Sequence, residues 1–304
     1  MKKPSKKHHY LPEHYLKGFT DEKGAFFVYD KKEDRIFSSS PQATFFEKNL
    51  NTVVFSKGNT SDFLETLYTH VENEIWSFFD EIRNTQSTDN ISKLHKMHLY
   101  LFLLFLHWRL PSNINFAEKL SEKVFKENDI LDYFFLENKS GEKVSDEGVD
   151  MIRKSEPFKK AVKLLAPFAP FYKNKNWGTT LDNWRFLYTR YSESWYFVGD
   201  NPLITEGKDD HDPVNCLNEF VLPISGRILL VNTNPPIKSG FPPDLILLVN
   251  TAIIEKSNRF IAFPREDFLR AIVERYRLYL RYKKTSLIIP ELFQALKTGI
   301  DIVK

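Results

Sequence analysis

The chain has 304 residues, of which 42% are hydrophobic, 15% aromatic and 27% charged, and its formal net charge is +3. This composition excludes intrinsic disorder and is sufficient for one large core or two modest ones. The single cysteine, Cys216, excludes an intrachain disulfide and a cysteine-rich zinc site, and it fits a reducing compartment.

The N-terminal lysines are followed by histidines and a proline, so the start does not resemble a secretory signal. The longest apolar run, Leu99 to Leu106, is far shorter than the roughly 20 residues of a membrane span. We therefore expect a cytoplasmic protein with no membrane partner, in which this run forms a buried helix.

The most unusual stretch, residues 8–19, holds three histidines and two tyrosines. Pro12 suits the first turn of a helix and Gly18 the position after its end, which predicts a helix at residues 12–17. The residue before a proline is biased to extended geometry, so the preceding residues are expected to be strand-like.

In that extended geometry His8 and His9 point to opposite faces and are not expected to share a metal. One of them could face a pocket while the other bonds a backbone carbonyl or a carboxylate. Alternatively, both are structural histidines.

Hydrophobic alternation then predicts a hairpin from residues 25–30 and 35–38. A weaker pair of β-rich runs, near residues 43–46 and 52–55, is expected to continue it.

The middle of the chain is predicted to be helical, because apolar residues recur at steps of three and four over residues 62–82. A second helix ends at Leu110, where Pro111 stops it. Further helical segments are expected at residues 115–128 and 150–171, the latter interrupted by Pro157, Pro167 and Pro170.

From Trp184 onward the apolar period changes to that of strands. Strands are predicted at residues 184–189, 195–199, 220–223, 227–232 and 259–263, with helices at 245–257 and from 264 to about 282.

The predicted fold is α+β, with a central helical layer packed on a mixed, mainly antiparallel sheet. Because there is no internal repeat or low-complexity linker, residues 1–304 are expected to form a single intertwined domain. Its parts are an N-terminal motif and hairpin (8–55), a helical region (60–171), and a β-rich part (182–263) closed by a helix (264–283).

Arg109 is the first candidate site residue, because it ends an apolar helical stripe that contains Phe102 and Phe105. Such an arginine must reach water, a carboxylate or an anionic ligand. The alternative is an arginine that snorkels to water near the negative end of the helix dipole.

The second candidate is the turn Asp200-Asn201-Pro202, which directly follows an apolar strand. A strand-end carboxylate is fixed by its strand and exposed by its turn, as at the rim of a site. The same residues are also ordinary turn chemistry.

Two metal candidates are weaker. His95 and His98 have a spacing compatible with metal binding on a helix but lack a carboxylate companion. The acidic loop 209–212 could hold a cation, but its polar surroundings favour a solvent-exposed loop. The last long helix carries a basic stripe, including Arg270 and Arg277, that could contact phosphates, although a solvated face is the commoner explanation.

The sequence contains no Walker loop, no Gly-x-Gly-x-x-Gly, no Gly-x-Ser-x-Gly and no His-Glu-x-x-His. These absences argue against ATPase, dinucleotide oxidoreductase, α/β-hydrolase and zincin functions.

Several motifs in order resemble a bacterial family known as domain of unknown function 4238. They are His8-His9-Tyr10-Leu11-Pro12, Arg109-x-Pro111, Asp200-Asn201-Pro202 and Leu222-Pro223-Ile224-Ser225. The chain departs mildly from the family pattern at Leu11, Leu110 and Gly226.

The resemblance names no reaction, because the family has no established activity. It implies an association of some members with defence against phage, and it marks His8, His9, Arg109, Asp200 and Asn201 as the polar residues of interest.

Two hypotheses follow. The first is an enzyme acting on a phosphate-bearing substrate, a nuclease or a nucleotide-directed hydrolase. Its partner would be a nucleic acid or nucleotide, and a divalent metal is a candidate cofactor. The rival is a noncatalytic recognition or scaffold protein whose motif residues form a buried hydrogen-bond network.

In the enzyme hypothesis His8 or His9 is the general acid or base, Arg109 neutralises the phosphate, and Asp200 orients the histidine or holds the metal. Substrate contacts are expected from Tyr10, Asn201, Arg270 and Arg277.

Overall fold

A computed structural model describes residues 7–54, 59–85, 91–122, 137–173, 177–189, 195–206, 215–234 and 243–298. Helices and antiparallel strands occur in largely separate runs through these ranges, which confirms the α+β prediction. Every pairing between the strands described there is antiparallel. Among the same residues, no helix is long and apolar enough to cross a membrane.

The opening segment forms a strand, β1 (Lys7–His9), and a short helix, α1 (Glu13–Lys17), as Pro12 and Gly18 predict. Gly18 is not in a left-handed conformation, since its φ is −67°. Its small size matters for packing instead, because a Cβ there would lie 2.7 Å from Nη2 of Arg83.

The first predicted hairpin is confirmed as β2 (Phe26–Asp30) and β3 (Arg35–Ser39). Its predicted continuation is wrong. Instead, β4 (Phe46–Lys48) pairs with β1, and β5 (Val53–Val54) pairs with β6 (Thr60–Ser61). Local alternation identifies extended segments, but it carries no information about a partner 37 to 41 residues away, as in the pairing of β1 with β4.

Two long helices, α2 (Phe63–Thr85) and α3 (Lys93–Arg109), confirm the prediction for the helical region. Ser92 caps the start of α3. Leu110 is extended because it precedes Pro111, and the helix therefore ends at Arg109.

Shorter helices complete this region: α4 (Ile114–Ser121), α5 (Asp146–Lys154), α6 (Glu156–Leu165), α7 (Ala169–Lys173) and α8 (Trp177–Thr180). The predicted segment at 150–171 is divided near its prolines, as expected. Pro157 lies in the first turn of α6 and Pro167 in a 3-10 turn, where a missing N–H is tolerated. The end of the predicted segment 115–128 lies outside the described residues.

The β-rich part contains β7 (Arg185–Tyr188), β8 (Val198–Gly199), β9 (Ile204–Thr205), β10 (Phe220–Ser225), β11 (Ile228–Asn232) and β12 (Phe260–Phe263). One sheet has the order β7-β11-β10-β9 and another has the order β3-β2-β12-β8. Because β12 pairs with β2, the late part of the chain is built into the sheet of the N-terminal hairpin.

Three helices follow or flank β12. The structure confirms α9 (Pro243–Lys256) and α10 (Glu266–Arg281), whereas α11 (Thr285–Thr298) was not predicted. Pro290 lies inside α11 and weakens its helical pattern, but the buried Leu292 anchors the helix.

The largest core packs α2 and α3 against both four-stranded sheets, through residues that include Phe79, Phe102, Leu222 and Ala262. The apolar run of α3 is buried, as predicted, apart from the partly buried Leu101. A second core packs α9, α10 and α11 against strands of both sheets.

Candidate functional site

Residues from distant parts of the sequence line a cleft of about 220 Å³, which we call the motif cleft. Its lining residues are Tyr10, Lys32, Phe46, Glu47, Pro111, Asp200, Asn258, Arg259 and Phe260. Tyr10 comes from the histidine-rich stretch, Pro111 follows Arg109, and Asp200 opens the Asp-Asn-Pro turn. Three of the sequence motifs therefore meet at one site.

Asp200 follows β8 and is buried at the edge of this cleft. Its carboxylate accepts backbone N–H groups from Asn258 at 2.8 Å, Arg259 at 2.7 Å and Phe260 at 3.0 Å. Burial raises the pKa of Asp200, and these three hydrogen bonds oppose that rise. Asp200 therefore fixes the segment that places Arg259 and Phe260 on the cleft wall.

Arg259 is held by Asp30 from the adjacent strand β2. Its Nε lies 3.0 and 3.1 Å from the two carboxylate oxygens, and its Nη2 lies 2.8 Å from one of them. Burial acts to raise the pKa of Asp30, but the hydrogen bonds from Arg259 and from two backbone amides keep it below the usual value. Nη1 of Arg259 makes no hydrogen bond to a described residue, so it can reach a ligand.

Tyr10 is buried, but its side chain borders the cleft. Burial raises the pKa of Tyr10 above its usual value, and the nearby charges of Asp200 and Glu47 raise it further. The phenol is therefore protonated at neutral pH and can donate a hydrogen bond. Within the described part of the chain no residue accepts it.

Glu47 is the exposed carboxylate of the cleft. It lies directly opposite His8 in the antiparallel pairing of β1 and β4. Among the described residues it has no ion-pair or hydrogen-bond partner, so its oxygens can accept a proton or a ligand.

A second group of polar residues lies around β1, α2 and the end of α3. We call it the His8–Arg109 network, formed by His8, Asn51, Glu65, Tyr68, Glu72 and Arg109. His8 is fully buried, and its Nδ1 accepts the backbone N–H of Asn51 at 2.8 Å. The side-chain amide of Asn51 donates to Glu65. The Nδ1 of His8 lies 3.9 Å from Glu65, but its lone pair is already engaged by Asn51.

Arg109 is 4% exposed and is paired on two sides. It donates a hydrogen bond to Glu72 and lies 3.5 Å from Glu65, while its Cζ lies 4.6 Å from the centre of the Tyr68 ring. Burial raises the pKa of Glu72, and the charge of Arg109 opposes that rise. The recess beside Arg109 measures about 10 Å³, which leaves room for roughly one water molecule.

His9 lies between the two groups and is not among the residues that line the cleft. Its ring packs edge-on against Phe46 at 5.5 Å, and its Nδ1 lies 3.6 Å from Glu13. Burial lowers the pKa of His9, opposed by Glu13 and reinforced by Arg109. The imidazole is therefore neutral at pH 7.

The other predicted contacts lie outside both groups. Asn201 is half-buried in the turn after β8. On α10, Arg270 bonds Glu266, and Arg277 bonds Glu274 and Asp34. The structure therefore brings Tyr10 and Asp200 to one cleft, and His8 and Arg109 to one network, but it does not bring the basic stripe to either.

No group of three or more His, Cys, Asp or Glu is arranged for a metal ion in the ranges that the structure describes. His95 stacks on Phe78 at 4.8 Å and takes part in the cap of α3. The acidic loop 209–212 lies outside the described residues.

Glu65 and Glu72, the carboxylates of the network, were not predicted as candidate residues from the sequence. They are seven residues apart on α2 and therefore share a face, beside the apolar stripe. That spacing, with Tyr68 between them, is a signal that could have identified them. Lys32, Glu47 and Arg259 have no comparable local signal.

Lys163 on α6 was also missed. It is 1% exposed, and burial together with the charge of Lys160 lowers its pKa to about 8. Arg109 and Glu47 are close enough to influence it as well.

The first and last motifs are joined directly. The hydroxyl of Tyr15 donates to the carbonyl of Pro223 at 2.6 Å, and the amide of Gly226 donates to the carbonyl of Gly18 at 2.9 Å. The strand-end turn at Gly226 is thus fixed by α1 and the residue that follows it.

A family model described as "Protein of unknown function (DUF4238)" matches residues 7–267. No curated protein and no solved structure matches the chain.

Proposed function

The chain belongs to the DUF4238 family, and we propose that it is a nuclease-like hydrolase of phosphate-bearing substrates that acts in the motif cleft. One observation supports this most strongly. Two cationic residues, a phenol donor and an exposed carboxylate, from four separate segments of the chain, line the same cleft: Lys32, Arg259, Tyr10 and Glu47.

In this proposal Arg259 and Lys32 neutralise the phosphate, and Tyr10 donates a hydrogen bond to one of its oxygens. Glu47 accepts a proton from a water molecule that attacks phosphorus, the bond from phosphorus to the ester oxygen breaks, and that oxygen leaves with a proton from solvent. A divalent metal is a candidate cofactor, and with a metal bound Glu47 would be an oxygen ligand in place of the base.

The motif residues then act mainly by positioning. Asp200 holds the backbone that carries Arg259, and His8 anchors the strand paired with Glu47. His9 packs against Phe46 and does not line the cleft, so in this proposal it supports the cleft wall.

The test is hydrolysis of p-nitrophenyl phosphate and bis(p-nitrophenyl) phosphate, with and without Mg²⁺ or Mn²⁺. We expect Glu47→Gln to lower the rate by about 10²- to 10⁴-fold, because general-base catalysis contributes that much. Glu22→Gln is the matched control, since Glu22 is an exposed carboxylate away from the cleft. An equal rate for Glu47→Gln and wild type would exclude Glu47 as the base.

A second candidate is a recognition protein without turnover, and it is favoured by the burial and pairing of His8, Arg109 and Asp200. Because Arg109 and Asp200 are buried and paired, replacing either by alanine should lower the melting temperature under both functions, so turnover distinguishes the two. No turnover by the wild type on either nitrophenyl substrate, with or without metal, would favour recognition.

We further propose a cytoplasmic setting and a role in phage defence, with a nucleic acid or nucleotide as the partner. This part depends on the family resemblance alone. Plaque counts on cells expressing wild type or Glu47→Gln test it, and equal protection by both proteins would separate defence from hydrolysis.

A further inference from the structure

Aromatic side chains share the motif cleft with the cationic ones. Tyr10, Phe46 and Phe260 line it together with Pro111. A bare phosphate would bind to cations and hydrogen-bond donors and would gain little from these apolar surfaces. Their presence indicates a ligand with a flat, apolar part.

Tyr10, Phe46 and Phe260 form what we call the aromatic wall, and other rings pack behind it. Phe45 is buried and packs edge-to-face against Tyr10 at 6.3 Å and against Phe260 at 6.2 Å. Phe46 is braced by His9. Because these rings are held by neighbours, they offer a preformed surface to a ligand.

The backbone beside the wall is strained. Phe45 has a φ of 59°, in the left-handed region that bulky residues rarely occupy, and Asn49 has the same value. These two residues flank β4, which carries Phe46 and Glu47 into the cleft. Strain of this kind persists where surrounding structure enforces it, and it is concentrated at functional sites.

The cationic end of the cleft is held by a single carboxylate. Asp30 accepts the backbone N–H of Lys32 at 3.0 Å and is paired with the guanidinium of Arg259. That guanidinium also lies over the Phe260 ring, with Cζ 4.6 Å from the ring centre. A cationic end and an aromatic wall are therefore contiguous.

The volume of about 220 Å³ limits the ligand. It is below the range of roughly 300–1,000 Å³ that is usual for pockets of drug-sized ligands. A base-paired duplex is too large for such a space.

From these features we propose that the motif cleft binds one unpaired nucleotide unit, with its base against the aromatic wall and its phosphate at Arg259 and Lys32. The phosphate end of this inference rests on the proposed function. The nucleotide can be free in solution or the terminal unit of a single strand.

The test is calorimetric titration of the full chain with AMP, CMP, ribose 5-phosphate and a 5′-phosphorylated DNA tetranucleotide. We expect at least one mononucleotide to bind about tenfold or more tightly than ribose 5-phosphate, since stacking a base on an aromatic ring contributes that much. Tighter binding of the tetranucleotide than of the mononucleotides would identify a strand end as the source, and weaker binding a free nucleotide.

Phe46→Leu and Phe260→Leu should each reduce the preference for the nucleotide over ribose 5-phosphate. Lys32→Ala is the matched control, because it should weaken the binding of the nucleotide and of ribose 5-phosphate by the same factor and leave the ratio of their dissociation constants unchanged. Phe46 is partly exposed, so its variant stays informative if Phe260→Leu unfolds the chain.

If ribose 5-phosphate binds as tightly as both mononucleotides, the inference is overturned while the phosphate site stands. If none of the phosphates binds, the inference and the proposed function both fail. A preference that survives in both Phe variants would also overturn the assignment of the aromatic wall.

Discussion

Replacing Asp200 by alanine should destabilise the protein and disorganise the cleft wall at the same time. The carboxylate accepts three backbone N–H groups at 2.7 to 3.0 Å, from Asn258, Arg259 and Phe260. A buried donor that loses its acceptor costs about 1–3 kcal/mol. The lower value of about 1 kcal/mol per amide applies here, because the cleft gives water access to these amides and because burial of the carboxylate charge already opposes folding. The expected loss is then about 3 kcal/mol.

Asp200→Asn should lower the free energy of unfolding by about half as much as Asp200→Ala, since the asparagine keeps one acceptor oxygen but turns an NH₂ group toward an amide donor. Urea denaturation at pH 7 measures both variants. Asp267→Ala is the matched control, because that carboxylate is 75% exposed and pairs with Arg265 on the surface, so its removal should change stability much less than either Asp200 variant.

The reasoning would be refuted if Asp200→Ala unfolded within about 0.5 kcal/mol of the wild type. It would also be refuted if Asp200→Ala bound ligands of the cleft normally. The amides would then be satisfied in another way, and Asp200 would not be the group that holds Arg259 and Phe260 in place.

Three further predictions concern buried ionisable side chains. Arg109→Met should lower the free energy of unfolding, measured by urea denaturation, by about 3–5 kcal/mol, because Glu65 and Glu72 lose their cation. A loss below about 1 kcal/mol would show that the ion pairs of Arg109 are not desolvated. Burial lowers the folded-state pKa of His9, so the unfolded chain binds a proton first and the free energy of unfolding should fall as pH drops below 6.5. His9→Gln should make this fall smaller. Parallel curves of unfolding free energy against pH for the two proteins would contradict the prediction. Lys163→Met should stabilise the protein at pH 7 by up to roughly 3 kcal/mol, since a pKa of about 8 against 10.5 penalises the charged amine in the folded state. This advantage should shrink as pH rises from 8 to 10.5 in chemical denaturation, and a constant difference would argue against a titrating amine.

Much of the fold could be predicted from local patterns. The 3.6-residue period identified α2, the proline after Leu110 set the end of α3, and the alternation of residues 25–38 identified the first hairpin. Each of these signals lies within one element or at its boundary.

The pairing of strands could not be predicted in the same way. β4 binds β1 rather than its sequence neighbour, and β12 enters the sheet of the hairpin from more than 200 residues away. Such pairings are decided by tertiary packing, which leaves no period in the sequence. For the same reason Glu47 and Arg259 were not predicted as candidate residues, whereas Tyr10 and Asp200, which line the same cleft, were.

The motif residues divide into those that hold the cleft and those that face it. Asp200 and Asp30 use their carboxylates to fix the backbone and the side chain of Arg259. His8 is anchored through Asn51 to the same Glu65 that faces Arg109, and it lies opposite Glu47 in the strand pairing. A buried polar group must be paired whether or not the protein has a ligand, so pairing alone does not make a residue catalytic. Among the residues that the structure describes, the cleft groups without a partner include the Tyr10 hydroxyl, the Glu47 carboxylate and Nη1 of Arg259. Ligand chemistry should therefore be sought there first.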